Sequence, residues 1–166
     1  MFAFVDRLSE LFGRVAAWLF FIIGGMIVFE VVARYVFLSP TIWAEEMSRF
    51  AQIWATYLAA AYVLKNRHLI RIDIASRKLG PRARVVAELF TLSIIAVFCV
   101  VAIIYGIEIV ADSIVQGRAT PTMLSVPMWI TESAIPVGAA LLLAQALVEA
   151  ARLRVTGTRK DGAPTP

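Results

Sequence analysis

The chain has 166 residues, 60% of them hydrophobic and only 17% charged, with a formal net charge of +4. A soluble domain sits near about 45–50% apolar and about 25% charged, so an ordinary water-soluble fold is excluded, and the apolar runs leave no room for a separate soluble domain. The basic excess needs no nucleic-acid partner, because its placement along the chain fits contact with anionic phospholipid headgroups.

Runs of about 18 or more apolar residues predict membrane-spanning helices. Four candidate runs follow one another, at about 15–38, 48–64, 85–110 and 126–148. Residues 1–14 form a short N-terminal segment, residues 15–150 one membrane domain, and residues 151–166 a polar tail. The first run is too long for the apolar core of a cleavable signal, and Glu30 and Arg34 interrupt its end, so it reads as a retained helix. Charges inside a bilayer are costly and tend to be paired or functional. Glu30 and Arg34 are four apart, share a helix face and can pair. They can also reach a partner subunit. Gly24 and Gly25 offer a place for close helix approach.

The next stretch, TIWAEEMSRFAQIW, places Glu45, Glu46 and Arg49 at the mouth of the second run. Ser39 and Pro40 predict an N-cap followed by proline at the first helical position. A helix from Pro40 to Leu64 would be ~37 Å long against a ~30 Å hydrocarbon core, so its first turns are expected at the membrane interface. Glu45 and Glu46 sit near the positive end of the helix dipole, and Arg49 can pair with either. Trp43, Met47, Phe50 and Trp54 recur at helical spacing as an amphipathic stripe with tryptophan at interface depth. Two occupants stay open for the charged face: solvent, or a larger membrane partner.

The segment between the second and third runs, KNRHLIRIDIASRKLGPRAR, is too polar to span and holds the lone acid Asp73 among seven bases. Glu108 and Asp112, four apart near the end of the third run, repel one another and are expected to face water or separate partners. Pro121 and Pro127 bound a short crossing. Pro136 is expected to kink the fourth run, where Ala134 and Gly138 form a small-xxx-small pair. The tail, VTGTRKDGAPTP, reads as disordered, and fusion to a further domain is not expected beyond it.

Lys and Arg alternate across the runs. Arg7 and Arg14 precede the first. Lys65, Arg67, Arg71, Arg77, Lys78, Arg82 and Arg84 lie between the second and third. Arg152, Arg154, Arg159 and Lys160 follow the fourth, whereas the other two connections hold only Arg118. The positive-inside rule then predicts cytoplasmic termini and a cytoplasmic central loop. The expected fold is an all-α membrane protein of four transmembrane helices, with an amphipathic interfacial helix leading into the second. The single cysteine, Cys99, allows no internal disulfide or redox pair. The single histidine, His68, allows no paired haem ligation. No spacing suggests a metal site, a nucleotide loop or another cofactor. No covalent chemistry is expected.

The run RYVFLSPTIWAEEMSRFAQIWATYLAAAYVLKNRHLIRID resembles the signature of the small four-helix membrane subunit, of the DctQ type, of tripartite ATP-independent periplasmic (TRAP) transporters. The residues that carry the likeness are Arg34, Tyr35, Trp43, Glu45, Glu46, Arg49, Trp54, Ala59 to Ala61, His68 and Asp73. The later run TPTMLSVPMWITESAIPVGAALL is similar to that family's last periplasmic loop and fourth helix. Alanine stands at Ala59 and Ala60 where the pattern leads one to look for glycine. The resemblance implies a non-catalytic subunit in a bacterial inner membrane. It implies a large multi-span transport subunit as partner, and a periplasmic binding protein delivering an organic acid for ion-coupled uptake. Glu30, Arg34, Tyr35, Trp43, Glu45, Glu46, Arg49, Trp54 and Asp73 become interface candidates. Two alternatives remain: a stand-alone proton-coupled exporter using Glu30, or a scaffold in some other membrane complex.

Overall fold

The computed structural model describes residues 2–66, 81–122 and 124–156, and these are almost wholly helical. Helix α1 runs over Phe2–Tyr35, α2 over Ile42–Lys65, α3 over Pro81–Val115, α4 over Met128–Glu132 and α5 over Ala134–Thr156. At ~1.5 Å per residue, α1 and α3 are each about 50 Å long, well beyond a ~30 Å hydrocarbon core. The stretches Ala3–Tyr35, Val85–Val115 and Met128–Leu153 are long and apolar enough to cross a membrane. Helix α2 has the length for a span, but it falls short of the other three in apolar composition.

The helices stand side by side in the order α1, α2, α5, α3, with α1 also touching α5. One core joins Ala16 and Ile23 of α1 to Ala55 and Leu58 of α2, with Leu141 of α5 packed against it. A second joins Leu64, Leu92, Ala146 and Leu153 near the other end of α2. The large apolar side chains of α1 and α3, such as Phe21, Val28, Phe98 and Ile104, point outward instead. A bilayer explains the inversion. Lipid is as apolar as leucine, so burial selects small residues that bring helices close rather than large ones that flee water. The pair Ala134 and Gly138 behaves this way: Ala134 is fully buried, and Gly138 lies directly on Tyr57 of α2. Gly24 and Gly25 do not, since nothing in the described chain comes within 4 Å of a Cβ built on either.

The structure bears on three local expectations. Helix α2 starts at Ile42 with Thr41 as N-cap, rather than at Pro40 with Ser39. The chain needs Ser39 and Pro40 for the turn, whose backbone passes through a left-handed Leu38 (φ 51°). The fourth run breaks at Ser133, three residues before Pro136. Proline supplies no N–H to the carbonyl four residues back and its ring crowds that position, so the ladder fails upstream of the ring. Helix α5 then continues to Thr156, taking in the first residues of the segment expected to be disordered. The crossing between α3 and α4 is a small clasp with an isolated antiparallel bridge between Ala119 and Pro127. Asp73 and His68 lie outside the described residues.

Candidate functional site

The end of α1 and the start of α2 hold most of the charged residues singled out in the sequence. Glu30 is buried (7% exposed), and its two carboxylate oxygens do different jobs. Oε1 accepts from Arg34 Nη2 at 2.8 Å and Nε at 3.3 Å, the expected i,i+4 pair. Oε2 accepts the backbone N–H of Thr41 at 3.0 Å and the Thr41 hydroxyl. The Thr41 side chain makes no capping bond to its own helix. Its hydroxyl is instead spent on Glu30, which thereby fastens the entry of α2 to the flank of α1. Arg34 also reaches Glu45 at 3.7 Å, and Glu45 pairs with Arg49. A row of alternating charges, Glu30, Arg34, Glu45 and Arg49, therefore links the two helices. It borders a groove of about 250 Å³ lined by Ile27, Val31, Tyr35, Ala44 and Ser48. Trp43 sits half-exposed beside Phe29, ring centroids 5.9 Å apart.

Glu46 parts from its neighbours. It is buried (6% exposed) and faces the clasp, where Oε1 accepts both the Thr120 and the Thr122 hydroxyls at 2.6 Å. Thr120 Oγ1 in turn accepts the N–H of Val126 across the clasp at 3.1 Å. Trp54 donates its indole N–H to the Ile130 carbonyl of α4 at 3.1 Å. Glu46 and Trp54 thus tie α2 to the α3–α4 connection, and the solvated face expected of Glu45, Glu46 and Arg49 holds only Glu45 and Arg49. Replacing Glu46 by alanine is expected to cost about 1–3 kcal/mol, the scale of leaving buried partners unsatisfied. Limited proteolysis should then cut between Gln116 and Pro127 faster than in the parent chain, while a silent Glu46→Ala would mean the bridge alone holds the clasp.

The opposite end carries a network that the sequence reading passed over. Gln145, fully buried, accepts from Ser9 Oγ at 2.9 Å and donates to Asp6 Oδ1 at 3.4 Å and Glu149 Oε1 at 3.3 Å. Arg152 bridges Asp6 and Glu149. Lys65 donates to the Asp6 carbonyl at 3.0 Å and to Glu10 at 2.8 Å. The N-terminus of α1, the C-terminus of α2 and the C-terminus of α5 meet here, so both ends of the described chain lie at one end of the layer. The available signal was Gln145 and Glu149, four apart in an otherwise apolar run.

Among the described residues, no group of three or more His, Cys, Asp or Glu comes together as a metal site. The polar side chains fasten helices to one another rather than converging on a reactive centre. Fold and contacts together define a multi-pass helical membrane protein. Residues 23–156 match the family of the tripartite ATP-independent periplasmic transporters, DctQ component, and the chain belongs to that family, which is a transporter component rather than an enzyme family. It is 25% identical over 150 residues, 82% of its length, to the isethionate TRAP transporter permease protein DctMQ of Oleidesulfovibrio alaskensis. It is 24% identical over 110 residues, 66% of its length, to the sialic acid TRAP transporter permease protein SiaT of Haemophilus influenzae. The chain spans only 24% and 17% of the lengths of these curated relatives.

Proposed function

We propose that this chain is the small permease subunit that braces a large transport subunit for ion-coupled uptake of an organic acid, delivered by a periplasmic binding protein. The observation that carries the reading is a proportion: in both relatives, the segment like this chain makes up a quarter or less of a much longer permease. The remainder of such a permease supplies the partner. The family supports the transport role, and isethionate and sialic acid, named for the relatives, are both organic acids. The engagement of both Glu30 oxygens by Arg34 and Thr41 supports a fastening role for that residue over a proton-carrying one.

In this reading α2 is the fourth span. Its lower apolar content suits a helix enclosed by α1 and α5, because its Ala55, Leu58 and Ala61 face protein rather than lipid. The basic residues at the end where α1 begins and α5 finishes support a cytoplasmic orientation of that end in a bacterial inner membrane, with the exposed Arg7 and Arg14 beside anionic headgroups. Glu45, Arg49, Arg34, Tyr35 and Trp43 remain candidates for the contact with the large subunit.

A mild-detergent pull-down on the tagged protein tests the reading. Recovery of a large multi-span membrane protein near 1:1 is the expected result, and recovery of this chain alone as a dimer would sink it. The double variant Glu45→Ala, Arg49→Ala asks whether the charged row touches that partner. It is expected to lower recovery and uptake together while the thermal midpoint of the isolated subunit barely moves, because exposed ion pairs contribute little to stability.

A further inference from the structure

Helix α2 turns a polar stripe outward. Glu45, Arg49, Gln52 and Thr56 are all exposed and recur at helical spacing, so they share one face. The first two belong to the charged row, but Gln52 and Thr56 lie deeper. Gly13 lies against Tyr62, Lys65 bonds to Glu10 and Arg34 reaches Glu45, so α1 and α2 run antiparallel in a fixed register. In that register Gln52 stands level with Gly24 and Gly25, near the middle of the charge-free stretch of α1 between Arg14 and Glu30. With α2 as the fourth span, this is the middle of the membrane.

Other exposed polar groups of the long helices have an outlet. Thr91 and Ser93 of α3 turn their hydroxyls back to the Ala87 and Leu89 carbonyls at 3.0 and 2.8 Å, and Thr56 does the same to the Gln52 carbonyl at 2.8 Å. Glu108 and Asp112 stand within about two turns of the end of α3, where water is in reach. The Gln52 carboxamide, with two N–H donors and an acceptor, has no hydrogen-bond partner among the described residues. Lipid offers it none, and an unsatisfied polar group at this depth is costly. A neighbouring helix does, since amide side chains and small residues hold membrane helices together. There is room for one. Gly24 shares the face of Val31, and Gln52 that of Glu45, each pair being close to two turns apart. The groove beside the charged row therefore continues past both residues, and nothing among the described residues comes within 4 Å of a Cβ built on Gly24.

We propose that the groove between α1 and α2, from the charged row down to Gln52 and Thr56, seats one membrane-spanning helix of the large transport subunit, with the Gln52 carboxamide bonded to a polar side chain of that helix at mid-membrane. The inference rests on the small-subunit reading above and names the face that it uses. A second copy of this chain does not fit the seat. A two-fold axis along the membrane normal that brings Gln52 to its own copy also brings Arg49, one turn away, to its copy, where like charges repel.

The test is made in membranes of cells expressing the tagged full chain with its native partners. A benzophenone photo-crosslinking residue replaces Gln52 or Thr56, and Val97, on the exposed surface of α3, is the control site. Illumination is expected to join positions 52 and 56, and not 97, to a large membrane protein. Crosslinks from 97 but not from 52 or 56, with the large protein still recovered, would overturn the seat and leave the subunit reading standing. Crosslinks from 52 only to a second copy of the chain would overturn it too. Failure to recover any large membrane protein would sink the subunit reading, and this inference with it. Gln52→Leu gives an independent readout. Recovery of the large subunit is expected to fall several-fold while the thermal midpoint of the isolated subunit holds or rises, because leucine suits lipid better than an unbonded amide and no internal contact is lost. Unchanged recovery would show that the amide bonds to nothing across the seam.

Discussion

Gly138→Ala is expected to force α2 and α5 apart. A Cβ at this position would sit 2.5 Å from Tyr57 Cβ and 2.9 Å from the Tyr57 carbonyl oxygen. Backbone cannot swing away as a side-chain tip can, so the two helices must separate along their whole seam. Overpacking of this kind costs about 1–3 kcal/mol even when side chains can yield, and here the upper end applies. The seam also carries the rest of the layer, because α5 joins α3 to the α1–α2 pair. A drop in thermal midpoint together with lost recovery of the large subunit is expected, and an unchanged midpoint would show that the seam is looser than it stands. Gly25→Ala is the contrast. Among the described residues nothing outside its own helix backbone comes within 4 Å of that Cβ, and alanine is the better helix former by about 1 kcal/mol. The isolated subunit should be unchanged or slightly more stable, so any loss of complex recovery would map a partner onto α1.

Removing Arg152 should be the most damaging change at the other end. Its guanidinium is the shared cation of Asp6 and Glu149, and the Glu149 side chain is almost completely enclosed. Breaking a buried pair by deleting one partner costs about 3–5 kcal/mol, because the other charge stays buried. Arg152 keeps a third of its side-chain surface, so about 2–3 kcal/mol is expected for Arg152→Ala. The double variant Asp6→Asn, Arg152→Gln should recover only the Asp6 share of that loss, since its amides can still bond while the Glu149 carboxylate stays enclosed without its cation. A double-mutant cycle on thermal midpoints measures the coupling. Strict additivity would mean that the two residues do not act as a pair in the membrane.

The charged residues were legible where their partners are local. Glu30 with Arg34 and Glu45 with Arg49 are both four apart, and helix geometry brings them together without tertiary information. Thr41 was hidden because Ser39-Pro40 is the stronger written cap, and only the fold reveals that Glu30 needs Thr41. Glu46 looked like its neighbour Glu45, yet one residue along a helix is a turn of about 100°, enough to carry it from water into the clasp. The Trp43 stripe marked the large residues, whereas the buried positions of α2 include the small Ala44, Ser48, Ala55 and Ala61. Hydropathy periodicity assumes that water defines the outside, and in lipid that assumption fails. Asp6, Gln145 and Arg152 lie 139 and 146 positions apart, too far for any spacing rule.

Helix α5 packs against α1, α2 and α3, so the bundle has a hub rather than two free edges. Helix α1 is tied at both ends, by Glu30 to the start of α2 and by the Asp6–Gln145–Arg152 network to α5. Helix α3 packs on α5, with Gly106 pressed against Pro136, and its loop end is tied to α2 where Thr120 and Thr122 donate to Glu46. A load on any one helix is therefore shared by the others, as in a truss.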